Sequence, residues 1–452
     1  MSFKKTMVGW SVASALAVMS GSVGASGFAL IEQSASGMGN AFAGGAAVAE
    51  DASTIFFNPA GMSRLSGKQI SIAAHAIRPS AKFSGTATGL APLQIAGIGT
   101  GGDAGSWALV PNAYFAMQMN PQTRLGLGIN APFGLQTNYD ANWMGRFQGV
   151  KSKIQTINLN PSVSYDVSDT VSLGLGLNYQ QLSGELTSMI NYSGAAYAAG
   201  FAAGGLPGAV AALTAVGGPG KEGLSTLTGK DSAWGYNLGG MFKLSPQTRV
   251  GVAYRSRVKY NLSGAVSFAN RPVFLATKLP DQAVTLAITM PDSFSVSGFH
   301  QLNDQWDVMA DASWTGWSVF KQLNVLNTTG TSLSTPTPEN WKDTWRVSAG
   351  ANYHYNERWM ARAGVAYDQA PVSDVYRTVR IPDNDRVWLS VGGQYKPNKQ
   401  GAFDFGYAHL FVSNATLNQS AVANPDLAGK GYLVGSYKNS VDILSAQYTY
   451  SF

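Results

Sequence analysis

Residues 440–452 read Ser-Val-Asp-Ile-Leu-Ser-Ala-Gln-Tyr-Thr-Tyr-Ser-Phe and alternate with a period of two. One face carries Leu444, Ala446, Tyr448, Tyr450 and Phe452, and the other carries Ser445, Gln447, Thr449 and Ser451. Because successive side chains of a β-strand point to opposite sides, this stretch predicts a strand with one apolar face and an aromatic carboxy-terminus, as lipid contact requires. A strand of a soluble sheet alternates too, so the rest of the chain must decide.

The opposite end of the chain resembles an export signal. Lys4 and Lys5 precede the apolar stretch 6–19, and Val23-Gly-Ala25 offers a small-residue cleavage site. Residues 1–25 are therefore predicted to be a signal peptide, and Ser26 the first mature residue. We find no later run of about eighteen apolar residues, so we expect no membrane-spanning helix. A soluble periplasmic protein remains the alternative at this point.

Composition favours a membrane barrel over that alternative. Only 12% of the residues are charged, the mean hydropathy is −0.03, and the chain has 52 Gly, 11 Trp, 19 Tyr and 20 Phe. A barrel hides its hydrophobicity in alternation, so its average hydropathy looks ordinary. The absence of cysteine excludes disulfides. The formal charge of +6 is too small and too scattered to indicate nucleic-acid binding.

Short turns and long loops alternate along residues 68–452. The short turns are marked by Asn120-Pro121, Ser168-Asp169, Ser245-Pro246, Asn303-Asp304, Asn356-Glu357 and Pro397-Asn398. The long loops lie near 85–106, 137–152, 186–231, 268–280, 326–340, 373–384 and 414–434. Six turns and seven loops join fourteen strands. An even count with short periplasmic turns puts both chain ends in the periplasm, as in transmembrane barrels.

Individual strands fit a barrel wall. In 171–179 the residues Val171, Leu173, Leu175, Leu177 and Tyr179 share one face. In 249–260 we expect Val250, Val252, Tyr254, Val258 and Tyr260 to face lipid, and Arg249, Arg255, Arg257 and Lys259 to face the lumen. Aromatic girdles are predicted from Trp306, Trp314, Trp345, Trp359, Tyr353 and Tyr367. Because only a closed barrel pairs every strand in hydrocarbon, the sequence predicts an all-β, antiparallel transmembrane β-barrel of about fourteen strands in a Gram-negative outer membrane. A soluble β-sandwich would not explain the loop asymmetry.

Residues 26–67 do not alternate and are rich in Gly and Ala. This composition predicts a small hatch inside the barrel lumen, and a flexible leader is the alternative.

Several motifs along the chain resemble those of the FadL-type outer-membrane transporters of long-chain fatty acids and other hydrophobic compounds. They are Ser26-Gly-Phe-Ala-Leu, Ser36-Gly-Met-Gly-Asn-Ala-Phe-Ala-Gly44, Asn58-Pro-Ala-Gly-Met62, Met290-Pro-Asp-Ser-Phe, Trp341-Lys-Asp-Thr-Trp-Arg346, Ala361-Arg-Ala-Gly-Val-Ala-Tyr-Asp368 and Ile381-Pro-Asp-Asn-Asp-Arg-Val-Trp-Leu-Ser390.

The resemblance implies a monomer with an amino-terminal hatch, an external hydrophobic groove, a buried ligand pocket and a lateral exit at a kinked strand. It also implies passive uptake of hydrophobic molecules, long-chain fatty acids first and neutral aromatic or aliphatic hydrocarbons as the alternative. In this family Phe28 is expected to reach the inner pocket. The turn Asn58-Pro59-Ala60 is expected to be hatch architecture. Outer-membrane lipid and the barrel assembly machinery are the expected partners, and no cofactor is expected.

Two loops carry apolar residues where external loops are usually polar. One contains Phe133, Leu135, Trp143, Met144 and Phe147. The other, 192–216, is rich in Ala and Gly, contains Phe201, and favours short amphipathic helices. We expect these residues to begin an apolar ligand path, because each methylene left in water costs about 0.8 kcal/mol. The alternative is that the two loops only pack on each other as a lid.

A carboxylate ligand requires a fixed cation. Lys342, in the family-like Trp-Lys-Asp element, is the first candidate, and Arg346 shares its parity. A second basic position, expected by resemblance near the end of the fifth strand, is replaced by Gln180-Gln-Leu-Ser183, which leaves room for neutral ligands. Lumen arginines also pair with carboxylates for structure, and Asp307 and Asp311 are candidate partners.

The lateral exit is expected near Gly126, Gly128 and Gly134, because glycine within a strand permits bends and gaps. The alternative is that these glycines only make room beside the hatch.

Catalysis has little support in the sequence. His75, His300, His354 and His409 show no metal-binding spacing, and no G-x-S-x-G occurs. The Gly97–Gly102 match to a dinucleotide fingerprint lies in a loop. We therefore expect neither an enzyme nor a metal site; a general porin and an outer-membrane hydrolase are the remaining alternatives.

Overall fold

The computed structural model describes residues 26–88, 93–420, 427 and 430–452. The predicted signal peptide lies outside these residues. Fourteen spanning strands follow the chain, and four of them have two segments. They are β1 (Lys68–Thr88), β2 (Ala108–Gln118), β3 (Thr123–Asn130 and Gly134–Asn138), β4 (Lys151–Asp166), β5 (Val171–Asn191), β6 (Glu222–Lys243), β7 (Thr248–Arg255 and Val258–Phe268), β8 (Gln282–Met290 and Ser293–Gln301), β9 (Trp306–Thr315), β10 (Thr344–His354), β11 (Trp359–Asp368), β12 (Arg386–Tyr395), β13 (Gly401–Val412 and Ala415–Asn418) and β14 (Tyr432–Ser451).

The strands close into one antiparallel barrel. Each strand pairs with its sequence neighbours, and β14 pairs with β1 from Gln69↔Ser451 to Thr88↔Tyr432. This confirms the predicted fourteen-stranded transmembrane β-barrel. The carboxy-terminal residue completes the seam, because the amide of Phe452 donates to the Lys68 carbonyl at 2.9 Å and the Phe452 carbonyl accepts from the Lys68 amide at 3.0 Å.

The six short turns form because a side chain accepts hydrogen bonds from the turn backbone. Asn120 Oδ1, for example, accepts from the amides of Gln122 and Thr123 at 3.0 and 2.8 Å. Asn303, Asn356 and Asn398 accept in the same way, and Ser168 and Ser245 do so through their hydroxyls. The turns predicted from sequence are therefore confirmed. Four strands extend at least four residues into the predicted loops: β1, β5 and β13 end later, and β6 starts earlier.

A belt of apolar side chains faces outward around the periplasmic part of the wall. On β5 it comprises Leu173, Leu175 and Leu177, which are 50%, 44% and 50% exposed. Aromatic pairs mark its two edges. Tyr179 and Trp234 lie at the external edge with ring centroids 5.0 Å apart, whereas Trp306–Tyr353 and Trp359–Tyr395 lie at the periplasmic edge. These are the girdles expected of a lipid-facing barrel.

Beyond the external girdle the two faces exchange polarity. There β5 points Leu182 inward and Gln181, Ser183 and Glu185 outward. In β7 the exchange is made by an irregularity at Ser256–Arg257, which shifts the pairing with β6 by one residue between Asn237↔Arg255 and Lys230↔Ser263. Val258 and Tyr260 are consequently buried, and Lys259 is exposed. Arg257 is exposed as well, so the predicted orientation of these four residues was wrong, because the alternation is not uniform across the bulge.

Residues 26–67 lie inside the barrel. They form short helices over Ala35–Met38, Gly45–Val48 and Thr54–Phe57 and a 3-10 helix over Pro59–Arg64. Asn58 is fully buried; its amide donates to the carbonyls of Ala46 at 2.7 Å and of Gly240 in β6 at 3.0 Å. Its Oδ1 accepts from the amide of Ala60 at 3.0 Å, and Pro59 occupies the first turn, where a missing N–H costs nothing.

Wall glycines let the hatch approach the barrel backbone. A Cβ at Gly364 would lie 2.1 Å from the carbonyl carbon of Asn40, and one at Gly174 would lie 2.2 Å from the Ala60 nitrogen. Charges also join the two parts: Arg362 of β11 donates to Asp404 at 2.5 Å and to hatch Glu50 at 2.8 Å. The hatch is therefore fixed to the lumen wall by both packing and ion pairs.

One long extracellular element is helical. Tyr192–Ala215 has a mean hydropathy of 1.4 over its most apolar window and is long enough to span a membrane, but Gly204 and Gly205 are non-helical and break it in two. Gly200 and Gly208 lie against each other, so the two halves pack as a hairpin. The hairpin carries no charged side chain. Helices were predicted here, but without charged residues they are not amphipathic.

Candidate ligand path and site

An apolar cavity occupies the external half of the barrel. About 750 Å³ of space, part of it open to solvent, lies between its lining atoms. Its lining is aliphatic on strands β3 to β8 and on the loops above, including Leu135, Ile154, Leu182, Leu186, Leu227, Leu262, Val284, Leu286, Ile288, Phe320, Leu323, Val325 and Ile381. Beyond the external girdle the leucines and isoleucines of the wall point inward, and they create this cavity.

Among the residues that the structure describes, two charged side chains line the cavity, Arg380 and Glu339. Both come from extracellular loops that fold into the barrel mouth. The Arg380 guanidinium is held against the wall, donating to the Lys151 carbonyl at 3.1 Å, to Ser152 Oγ at 3.0 Å and to the Thr187 carbonyl at 3.1 Å. Glu339 accepts from the Trp341 indole at 3.0 Å.

Burial gives Glu339 and Arg380 different charge states at neutral pH. It raises the pKa of the Glu339 carboxyl to about 8, although the Trp341 hydrogen bond and the Arg380 charge oppose the shift. Burial lowers the pKa of the Arg380 guanidinium only to about 10. At pH 7 the glutamate is therefore mainly neutral while the arginine stays charged. The cavity then presents one positive charge that no ionised carboxylate balances.

Five aromatic side chains close the cavity from below. Phe28 is fully buried at their centre, with ring centroids 4.8 Å from Trp317, 5.5 Å from Trp341, 5.7 Å from Phe320 and 6.1 Å from Phe133. Trp317 and Phe320 reach the lumen because the chain leaves the wall after β9 and turns inward at Gly316. We call these five residues the aromatic cluster.

A second, more polar cavity lies under the aromatic cluster, beside the hatch. About 1050 Å³ of space lies between its lining atoms, which belong to Ala29, Leu30 and Ile31 of the hatch, to Pro132 and Phe133, and to residues of β6 to β11. Arg346 lines it and donates to the Ala41 carbonyl at 2.6 Å, so this arginine also holds the hatch. Phe133 and Trp317 of the aromatic cluster form its roof.

The barrel wall is interrupted next to this lower cavity. The β2–β3 pairing ends at Ala113↔Ile129, and residues 108–112 of β2 pair only with β1. Between the two segments of β3, residues 131–133 stand opposite only Thr156 and Ile157 of β4, and Pro132 has no N–H to donate. The free backbone groups are taken by the hatch: Leu30 donates to the Pro132 carbonyl at 2.8 Å, and Gly134 to that of Phe28 at 2.9 Å.

The family of the chain follows from residues 16–452, which match the model described as "Outer membrane protein transport protein (OMPP1/FadL/TodX)". The chain belongs to the FadL-type family of outer-membrane transport proteins. It is thus a transporter-family protein of the Gram-negative outer membrane and not an enzyme.

Curated relatives and solved structures agree with this assignment. The long-chain fatty acid transport protein of Escherichia coli K12 is 30% identical over 454 residues, which cover 97% of this chain and 99% of that protein. Outer membrane protein P1 of Haemophilus influenzae is 33% identical over 422 residues, 88% of this chain and 89% of that protein. A Pseudomonas aeruginosa FadL homologue superposes with a TM-score of 0.83 at 27% identity, covering 94% of this chain and all of that one.

A more distant structure shares the fold. The Pseudomonas putida toluene transporter TodX has a TM-score of 0.64 and 19% identity, with 95% of this chain and 100% of that chain covered. At this identity the likeness shows the barrel architecture alone.

The structure brings some of the predicted site residues of this FadL-type protein together and separates others. Phe28, Phe133 and Leu135 belong to one buried apolar cluster, in which Leu135 lines the upper cavity and Phe133 the lower one. Trp143 instead stacks on Tyr139, with ring centroids 4.2 Å apart, in an external cluster that also includes Met144, and Phe147 is buried under Arg146. Phe201 is 54% exposed on the helical hairpin.

Lys342 does not reach either cavity. Its side chain is exposed, and only its backbone amide is bonded, to the Pro371 carbonyl at 3.1 Å. Arg346 is buried below the aromatic cluster, so the two residues do not form one site. Asp307 and Asp311 accept hydrogen bonds from His354 and Ser297 instead of pairing with Arg346.

The predicted exit glycines occupy different surroundings. A Cβ at Gly126 would lie 2.4 Å from Met62 Sδ and 2.6 Å from Ile55 Cδ1, so this residue makes room for the hatch. Gly128 lies against Tyr114, one residue pair before β2 and β3 separate, and Gly134 follows the gap between the two segments of β3.

Sequence reasoning missed Arg380, Glu339 and three members of the aromatic cluster, Trp317, Phe320 and Trp341. The available signal was the apolar content of the loops after β9 and β11, where a polar surface is normal. Nothing local indicated that these loops fold inward.

Proposed function

We propose that this FadL-type protein takes up long-chain fatty acids passively. The observation that carries the proposal is an almost wholly apolar cavity in which Arg380 is the charged group at neutral pH. An alkyl chain would replace water along the aliphatic lining, worth about 25 cal/mol per Å² of apolar surface. The carboxylate would meet the guanidinium at the rim in a charge-assisted hydrogen bond. The Escherichia coli relative is named for long-chain fatty acid transport, which supports this substrate class.

Capture would start at the external apolar loops. Phe201, Leu206 and Val210 of the helical hairpin are 54%, 60% and 55% exposed, and Val273 and Phe274 of the β7–β8 loop are exposed beside them. The bases of these two loops pack together through Tyr192 and Leu275. An apolar surface of this kind offers a ligand a first contact before it enters the cavity.

Release would pass through the wall between β2 and β3. A ligand in the cavity must displace the aromatic cluster, enter the lower cavity and leave beside Ala131 and Pro132. Because hatch residues 28–30 bond to this break, movement of Phe28 and opening of the wall would be coupled. Sideways release into lipid keeps the apolar surface buried, whereas release into periplasmic water would forfeit it.

Neutral hydrocarbons are the second candidate, because the same apolar lining suits them and Lys342 is absent from the cavity. Arg380→Gln distinguishes the two. We expect it to weaken binding of oleate about tenfold or more, since a hydrogen bond to a charged group contributes about 1.5–3 kcal/mol, and to leave binding of hexadecane unchanged. Isothermal titration in detergent measures both, and Lys342→Gln is the matched control. Equal losses for oleate and hexadecane, or none for oleate, would contradict the fatty-acid assignment.

The Glu339 pKa predicts how binding depends on pH. Below about 8 the carboxyl is neutral; above it the ionised group pairs with Arg380 and repels a ligand carboxylate. Oleate affinity should therefore fall about tenfold between pH 7 and pH 9, following the ionised fraction of one group. Glu339→Gln should remove the pH dependence of oleate affinity. Hexadecane affinity should not change with pH in the wild type or in the variant. A pH profile that is identical in wild type and variant would exclude Glu339 as its source.

A further inference from the structure

A second cavity lies on the outer surface of the same wall. It is a concave pocket of about 740 Å³ on strands β4 to β7, lined by Lys153, Gln155, Ser183, Gly184, Glu185, Thr228, Gly229, Lys230, Ser263 and Gly264. Three of these are glycines that pair in register across neighbouring strands, Gly184↔Gly229 and Gly229↔Gly264. Absence of side chains along this row leaves the sheet thin and lets the pocket form.

The height of this outer pocket places it outside the hydrocarbon. On β5 the external girdle residue Tyr179 precedes Ser183 by four positions, and on β6 Lys230 precedes Trp234 by four. With a rise of about 3.3 Å per residue and a tilt of about 40°, the pocket lies roughly 10 Å beyond the girdle. This is the level of sugars that extend from the outer-leaflet glycolipid of a Gram-negative membrane, above its acyl chains.

The pocket has the chemistry of an anion site. Glu185, its one carboxylate, is already neutralised by Lys151, with Nζ and Oε2 2.8 Å apart. In the described part of the chain the ammonium groups of Lys153 and Lys230 have no hydrogen-bond or ion-pair partner, and they flank the pocket from opposite sides. Hydroxyls of Ser183, Thr228 and Ser263 and the amide of Gln155 line the space between them. Two unpaired cations and several hydroxyls complement a phosphate on a sugar.

We propose that this outer pocket binds a phosphorylated saccharide of the lipopolysaccharide core. Lys153 and Lys230 contact the phosphate, and the hydroxyl side chains contact the sugar. Gly184, Thr228, Gly229 and Gly264 also line the inner apolar cavity, so a single layer of backbone separates the two sites. The bound saccharide therefore braces the thinnest part of the cavity wall.

The test is binding of purified rough-type lipopolysaccharide with a phosphorylated core, measured by native mass spectrometry of the protein in mild detergent. We expect Lys153→Gln/Lys230→Gln to raise the apparent dissociation constant about tenfold or more, since two charge-assisted contacts are lost. Removing core phosphate from the lipopolysaccharide with hydrofluoric acid should weaken binding to wild type equally. Both proteins should keep the heat-modifiable migration of a folded barrel.

The matched control is Lys396→Gln/Lys399→Gln, which removes two exposed lysines at the opposite, periplasmic end of the barrel. It should bind as wild type does. The proposal is overturned by unchanged binding in the outer-pocket variant, by an equal loss in the control, or by full binding of the dephosphorylated glycolipid.

Discussion

In both halves of β5 the side chains alternate between inward and outward, but the apolar side chains face outward in one half and inward in the other. Between Val171 and Tyr179 the outward side chains are apolar, and the inward ones are Ser172, Gly174, Gly176 and Asn178. Above Tyr179 the outward residues are polar, and Leu182 and Leu186 point inward. The polarity of each face matches its surroundings: lipid and then water on the outside, the hatch and then the apolar cavity on the inside. The strand therefore has a lipid-facing apolar surface in one half and an inward apolar surface in the other.

The largest expected effect comes from a charge in the lipid-facing belt. Leu175→Arg puts a guanidinium near the middle of the belt, where such a change costs about 2–4 kcal/mol in transmembrane barrels. We expect a marked loss of heat-modifiable protein in the outer membrane and a lower midpoint in urea. Normal amounts of folded protein would show that Leu175 does not face the hydrocarbon centre.

The same substitution in the other half should have the opposite outcome. Leu182 is 2% exposed and lines the inner cavity. Leu182→Arg leaves the lipid-facing belt intact, so assembly should continue, but the added charge and volume should weaken binding of both oleate and hexadecane about tenfold or more, the equivalent of 1.4 kcal/mol. Titration of the purified variant against both ligands measures this. Undiminished binding of the two would mean that the ligand lies elsewhere.

A smaller, more selective effect is expected at the boundary between the halves, where β2 and β3 separate. Ala131→Leu adds bulk at the break without touching the upper cavity. Uptake of labelled oleate into cells should fall about fivefold to tenfold, near 1–1.4 kcal/mol, while binding to purified protein stays the same. Ala74→Leu, on the continuous β14–β1 seam where Ala74 pairs with Ala446, is the control and should not alter uptake. Unchanged uptake in Ala131→Leu would remove the support for this exit.

Much of the fold could be predicted from short stretches of the sequence. The alternation of 440–452 and 171–179, together with acceptor residues such as Asn120 and Asn303 in the short turns, sufficed for fourteen strands and their order. The bulge at Ser256–Arg257 could not be foreseen, because nothing in the residues 249–260 shows where outside lipid gives way to outside water. Its consequence was the misplacement of Tyr260, whose hydroxyl donates to Gln180 Oε1 at 2.5 Å across the cavity wall.

Less of the candidate site than of the fold could be predicted from the sequence. Phe28, Phe133 and Leu135 were predicted as ligand contacts; the structure places them in one buried cluster, with Leu135 on the upper cavity and Phe133 on the lower one, and their contact with a ligand stays a prediction. The cation was assigned to Lys342, which is exposed, whereas the cavity contains Arg380 from another loop. A family-like motif fixes the position of a residue along the chain but not the direction of its side chain at the end of a strand.

The sequence by itself determined the barrel, because strand alternation and turn chemistry act between near neighbours and the bilayer imposes the closure. The tertiary structure alone decided the inner cavity, the aromatic cluster and the break beside β3. These depend on loops and a hatch that meet the wall across hundreds of residues, as Gly27 meets Asp383 at 2.8 Å and Asn58 meets Gly240 at 3.0 Å. Such contacts are selected by packing in a confined lumen, and no local pattern encodes them.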